Sequence, residues 1–350
     1  MNDPHTEHKA LIAPLRAAMV DFDADIVRNA LTALVAGDAP VHMPCPFGSL
    51  AGPDALYEIC YAPLFKAMPD LERRDWIVLG GETEHGGHWI GCGGHYLGTF
   101  VAPWLDIPPT GHLTHMRFHE FYRFKGGRIV EIQTLWDIPE VMMQAGAWPM
   151  APSLGLEFCI PGPATLDGIV PGPHDAGQAQ ASRDHIIAML THMRRHPGQG
   201  GPEAMEMPRF WHPRMNWYGP AGIGTGRGIA GFRNWHQIPF LGAMPDRGQY
   251  ADEVTCHFFG DGPYAAVTGW PNMIQTVTDD GWLGVAPAGQ RITMCSLDFW
   301  RIEDGLIREN WVMVDLLDVW RQLGVDVFAR LREFNKARVP GRIAFPVGAG

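Results

Sequence analysis

No stretch of the 350-residue chain approaches the run of about 18 apolar residues that a membrane-spanning helix needs. Basic residues are outnumbered, 27 Lys and Arg against 38 Asp and Glu, for a net charge of -11. A nucleic-acid binder needs a basic surface for the phosphates, so no nucleic-acid partner is expected. The six cysteines (Cys45, Cys60, Cys92, Cys159, Cys256 and Cys295) form no CxxC pair, which leaves a zinc ribbon or a thioredoxin-like site unsupported. The polar segment 1–10 lacks a basic stretch followed by an apolar one, so the expectation is a cytoplasmic protein with reduced thiols and no membrane partner. Charged residues are only 19% against 46% hydrophobic, which excludes a disordered chain. What abounds is glycine (42) and tryptophan (13), a composition suited to tight turns and aromatic-lined cavities in a β-rich fold.

The chain repeats itself. Phe121 to Glu131 lies over Phe299 to Glu309 at an offset of 178, and the match runs on through Asp137/Asp315, Val141/Val319, Gln144/Gln322 and Gly146/Gly324. Nine of the 27 positions from Glu120 to Gly146 are identical, far above chance. Ala67-Met68-Pro69-Asp70 matches Ala243-Met244-Pro245-Asp246 at offset 176. The reading is therefore two copies of one domain, 1–148 and 178–335. A Pro/Gly-rich linker (149–177) joins them and a tail (336–350) follows.

Within each copy the periodicity predicts helices first and a sheet afterwards. Helical spacing covers 6–19, 23–36 and 54–66, with Asp21 or Asp23 as a cap, and in the second copy 182–195 and 229–242. Strands follow at 73–82, 87–101, 112–125 and 128–138, with counterparts at 250–260, 263–278, 290–303 and 306–316. Gly126-Gly127 and Asp304-Gly305 are hairpin turns, and a short helix follows each strand-terminal Asp. The fold class is α+β, two tandem domains each with a curved antiparallel sheet and helices on one face.

The Arg–Gly-turn–Ile-x-Glu strand pair, the following Asp and the Gln-x-Gly helix resemble the SnoaL-like polyketide cyclase (ester cyclase) family, within the nuclear transport factor 2-like superfamily of cone-shaped domains. Gly94-His95-Tyr96-Leu97-Gly98 and Ile107-Pro108-Pro109-Thr110-Gly111 carry the same likeness. The resemblance implies an apolar pocket in each cone, no cofactor and no metal. It also implies a general acid/base role for Asp137 and Asp315 in an aldol-type cyclisation of a small hydrophobic carbonyl compound. Two features depart from the family pattern: Gln133 stands where copy two has Trp311, and Trp270 stands where copy one has His95.

The residues point the same way. A carboxylate ending an apolar strand is costly to bury unless it is used, and desolvation raises its pKa toward that of a carbon acid. Capping of the next helix is the competing role for both Asp137 and Asp315. Histidines concentrate in copy one, where His95, His115 and His119 are candidate partners for Asp137 and mark this copy as the acid/base centre. Hairpin register decides which of them meets it: a three-residue loop sets His115 opposite Asp137, and a two-residue turn sets Met116 there. Trp104, Trp136, Trp270, Trp311, Tyr218, Arg117 and Gln133 are candidate substrate contacts, and Trp148, Trp282 and Trp300 are further aromatic residues that could stack on a flat substrate. His112, His115 and His119 have helical ligand spacing, but in a strand they do not share a face, so no metal is expected. A non-catalytic binder of a hydrophobic metabolite is the alternative from another class, as is a hydrolase or dehydratase built on Asp137 with Arg117 or Arg123. An internal pseudo-dimer is expected, with further homo-oligomerisation open.

Overall fold

In the computed structural model, residues 3–336 are described; the tail expected at 336–350 lies outside them apart from Lys336. Copy one begins with α1 (Pro4–Ala18), capped by the Asp3 carboxylate, and α2 (Ala24–Leu34), capped by Asp23 onto the Ile26 amide. Strands β1 (Pro40–His42) and β2 (Ser49–Ala51) follow. Then come α3 (Gly52–Leu56), a π-helical turn (Tyr57–Tyr61) and α4 (Ala62–Ala67). The sheet is completed by β3 (Glu72–Thr83), β4 (Gly87–Thr99), β5 (Leu113–Lys125) and β6 (Arg128–Trp136), and α5 (Ile138–Gln144) closes the copy.

Copy two repeats the plan. It runs through α6 (Ala176–Met193), α7 (Met207–Phe210), β7 (Trp211–Tyr218), β8 (Gly226–Arg227) and α8 (Gly228–Phe232). A second π-turn (Arg233–Gln237) leads to α9 (Ile238–Ala243). Then follow β9 (His257–Asp261), β10 (Tyr264–Thr268), β11 (Met273–Val277), β12 (Gln290–Met294), β13 (Ser296–Glu303) and β14 (Leu306–Val314). The helices α10 (Leu316–Gln322) and α11 (Val327–Lys336) end the described chain.

The two sheets share one topology, β2-β1-β6-β5-β4-β3 and β8-β7-β14-β13-β10-β9. The short β1 and β7, which run parallel to β6 and β14, are an addition to the strands expected from the sequence. The long strands expected at 263–278 and 290–303 are each broken in two. Pro271, which has no amide to donate, stands between β10 and β11, and the outer halves pair with each other as the ribbon β11–β12. The helix expected at 182–195 starts earlier, at Ala176, where Asp175 caps it.

The hairpin register is neither of the two expected. Gly126 and Gly127 both have positive φ, as do Asp304 and Gly305, so each turn is a two-residue loop. One residue further in, Val130 and Arg308 are bulged out at the same place in the repeat. The bulge moves the pairing by one more residue and brings Arg117, not His115 or Met116, opposite Asp137.

Side-chain alternation then divides each sheet. One face meets its own helices. The other faces the second sheet, where Phe121, Leu135 and Trp89 pack with Phe259, Phe299, Trp311 and Met313. Phe121 and Phe299, equivalent residues, stack with centroids 5.1 Å apart and planes 13° apart.

Candidate functional site

The strand-terminal acids lie on the inter-sheet side. The Asp137 carboxylate accepts the Ala221 amide (3.0 Å) and sits 3.4 Å from Arg117. The Asp315 carboxylate accepts the Cys45 amide (2.9 Å) and caps α10 through the Asp318 amide (3.1 Å). By strand register Ala221 and Cys45 are equivalent, so each acid holds the other copy's loop. Burial pushes Asp137 up and the neighbouring Glu140 charge adds to this, against the pull of Arg117. Burial pushes Asp315 up to about 7 although two amides bond to it. Arg117, fully buried, donates to the carbonyls of Tyr218, Gly219 and Val312.

The expected histidines gather around this joint. His115 Nδ1 is 3.1 Å from Glu140. Burial alone would raise Glu140, but His115, His95 and Arg117 outweigh it and hold the acid below the ordinary range. His95 Nδ1 accepts the Trp76 indole N–H (3.2 Å), and burial holds its pKa down to about 4. His119 is wholly buried with Nδ1 2.6 Å from the Leu297 carbonyl, and burial keeps it neutral. His95, His115 and the Cys159 thiol bring ligand atoms within 4.8 Å of one another. Yet the indole bond places the neutral His95 proton on Nε2, which removes that lone pair from a metal, and Glu140 takes His115 Nδ1.

The other expected contacts are dispersed. Gln133 accepts the Thr268 hydroxyl across the joint (2.5 Å). Trp311 donates to the Pro161 carbonyl (2.9 Å), the Tyr218 hydroxyl approaches Glu309 (3.4 Å), and Trp270 stacks on His42. Trp104 and Trp136 are buried in the core of copy one.

On the helix-facing side the two copies differ. In copy one a buried Glu120 accepts from Arg73 (2.5 Å), Tyr96 (2.9 Å), Tyr122 (2.5 Å) and the Trp136 indole (3.0 Å), with Phe118 packed under the Arg73 guanidinium. These side chains occupy the cone. In copy two the acid is Asp298, and the large pair Phe118 and Trp136 is replaced in register by Ser296 and Val314. Two missing aromatic side chains leave a cavity of about 150 Å³, lined by Asp298, Ser296, Val314, Trp211, Trp300 and His236 among others. Of the residues expected from the sequence, Trp282 and Trp300 line it and the others do not.

Asp298 is half-buried and lines this cavity. Burial pushes its carboxyl up to about 7, against the hydrogen bonds from the Ser296 hydroxyl (2.7 Å) and the Met313 amide. His236 lies flat on Trp217 with ring centroids 4.1 Å apart, and burial brings its pKa down to about 3, so it is neutral. The indole N–H groups of Trp211 and Trp300 are buried without acceptors. Arg247 and Arg194 also line the cavity. A second hollow of about 550 Å³ lies between the Cys45 loop and α10–α11, but its Arg321 and Arg332 are already paired with Asp318 and Asp106.

One signal for Asp298 was present in the sequence: the repeat carries an acid at this position in both copies, Glu120 and Asp298, in the middle of an apolar strand. Nothing local marked Arg247 or His236. They stand where copy one has the buried Leu71 and Cys60.

A family model described as SnoaL-like polyketide cyclase matches residues 16–145 and 206–323. Among solved structures the chain is similar to AclR of Streptomyces galilaeus (18% identity, TM-score 0.35, covering 42% of this chain and 90% of that one). It is also similar to IdmH of Streptomyces antibioticus (22%, TM-score 0.34, covering 40% and 98%). A third similar structure is a nuclear transport factor 2-like protein of Burkholderia thailandensis (17%, TM-score 0.31, covering 42% and 98%). No curated protein matches.

Proposed function

The chain belongs to the SnoaL-like polyketide cyclase family, and from that membership we propose that its second copy is a cofactor-independent acid/base enzyme acting on a small hydrophobic carbonyl compound. The observation that carries the reading is Asp298, an acid with its pKa brought to about 7 on the wall of an aromatic cavity. At that pKa a carboxylate removes a proton from carbon more readily than an exposed aspartate does, and its acid form returns a proton at neutral pH.

In the proposed cycle the Asp298 carboxylate takes a proton alpha to the substrate carbonyl. The C–H electron pair moves to the carbonyl oxygen as an enolate. That oxygen is met by the Trp211 or Trp300 N–H, both donors without an acceptor. The enolate carbon then attacks a second carbonyl in the same molecule, and Asp298 delivers the proton to the new alkoxide. Asp137 and Asp315 are assigned to joining the copies, with Glu120 and Arg73 as a closed core in copy one.

The test is proton exchange alpha to the carbonyl of acetophenone in D2O, followed by NMR. Exchange above the buffer rate that falls about 100-fold or more in Asp298→Asn, and not in Asp315→Asn, is expected. Exchange at the buffer rate, or an Asp298→Asn protein as active as the parent, overturns the reading. Either result would favour non-catalytic binding.

A further inference from the structure

Two cationic side chains at the copy-two cavity have no counter-ion. Arg247 lines the wall, and its guanidinium makes one long contact, 3.5 Å, to the Met193 carbonyl, with the Phe240 ring 5.9 Å away. Arg194 lines the same cavity from its exposed side, with its stem against Gly248. Among the described residues neither forms an ion pair with any carboxylate, including Asp298 on the same cavity wall. Elsewhere the buried guanidiniums are matched: Arg73 with Asp75 and Glu120, Arg301 with Glu309, Arg117 with Asp137. An unmatched guanidinium is costly even when half-buried, as Arg247 is, and desolvation and the nearby Arg194 charge bring its pKa down to about 10.

The rest of the wall repeats the pattern. The Trp211 and Trp300 N–H groups are donors without acceptors, and His236 Nδ1 is unpartnered. The cavity thus offers positive charge, a near-neutral acid and flat aromatic walls. Its volume of about 150 Å³ suits one six-membered ring, because an apolar cavity of about that size accepts benzene.

We propose that the copy-two cavity binds an organic anion, a carboxylate carried on a single ring-sized apolar body, with the carboxylate paired to Arg247 and Arg194 and the ring between the aromatic walls. The proposal rests on the reading of this cavity as the active site and names its substrate class, a monocyclic diketo acid whose second ketone is the aldol acceptor. An anion supplies the missing counter-ion, and the arginine fork fits a carboxylate in two parallel hydrogen bonds.

Binding can be tested without turnover. Calorimetric titration of the full protein with benzoate, benzamide and anthracene-2-carboxylate separates charge from size. Benzoate is expected to bind about tenfold or more tightly than its neutral amide, and the three-ring acid more weakly than benzoate. Arg247→Gln is expected to abolish the preference for benzoate over benzamide. Val314→Trp, which restores the bulk found in copy one, is expected to abolish binding of both. Equal affinity for benzoate and benzamide, no binding of benzoate, or a preference that survives Arg247→Gln each overturns the proposal. The ligand comparison on the unmodified protein stands even if a variant fails to fold. Benzoate binding without acetophenone exchange would leave the anion site standing and remove only the catalytic reading. Exchange without benzoate binding would do the reverse.

Discussion

At the residue scale the decisive contrast is between acids that join the copies or fill a core and an acid that lines a cavity. Asp137 and Asp315 are engaged by backbone amides of the opposite copy, and Glu120 by four donors. Asp298 accepts the Ser296 hydroxyl and the Met313 amide and has a cavity in front of it. Its raised pKa also ties it to stability. The folded carboxyl holds its proton more tightly than in the unfolded chain, so its contribution is whole below about pH 4 and is lost as pH rises to about 7. An asparagine does not titrate. Thermal denaturation should therefore show Asp298→Asn gaining on the parent protein between those pH values, and a constant gap would contradict the shift. Any exchange that Asp298 catalyses as a base should rise with pH through about 7. Arg117→Met should cost about 3 kcal/mol or more in denaturant unfolding, because it strands a buried carboxylate and three carbonyls.

At the element scale the positions of helices and strands followed from apolar spacing and turn residues, and so did the repeat. The bulges at Val130 and Arg308 did not, because an extra residue in one strand changes no periodicity on either side of it. That one residue set Arg117 against Asp137 and placed the histidine face between the sheets. The breaks in β10–β11 and β12–β13 were only half legible, through Pro271. Close packing of elements is tested most simply at Gly260 in β9, where an added Cβ would lie 2.0 Å from the Ala179 carbonyl oxygen of α6. Gly260→Ala should cost about 1–3 kcal/mol in denaturant unfolding, and a neutral effect would mean that α6 does not sit against β9.

At the scale of the whole molecule, duplication has given the two copies different work. Copy one fills its cone with Phe118, Trp136 and the Glu120 network, while copy two leaves its cone open and unpaired in charge. The sequence showed the duplication and led to an expected pocket in each cone with the acid/base centre in copy one, whereas the aromatic cavity described above lies in copy two. Histidine richness marks the joint between the sheets, whereas a cavity is made by residues that are small, Ser296 and Val314, and smallness carries no signal of its own. The shared apolar joint makes unfolding one event: tryptophan fluorescence and circular dichroism should trace a single coincident transition in denaturant, and two separated transitions would show copies that stand independently. The most direct test of the central claim is the pH titration of the Asp298 carboxyl carbon by NMR, with and without benzoate. A midpoint near 7 that rises further when benzoate binds is the predicted result. A midpoint near the ordinary value of about 3.9, unmoved by the ligand, would contradict it.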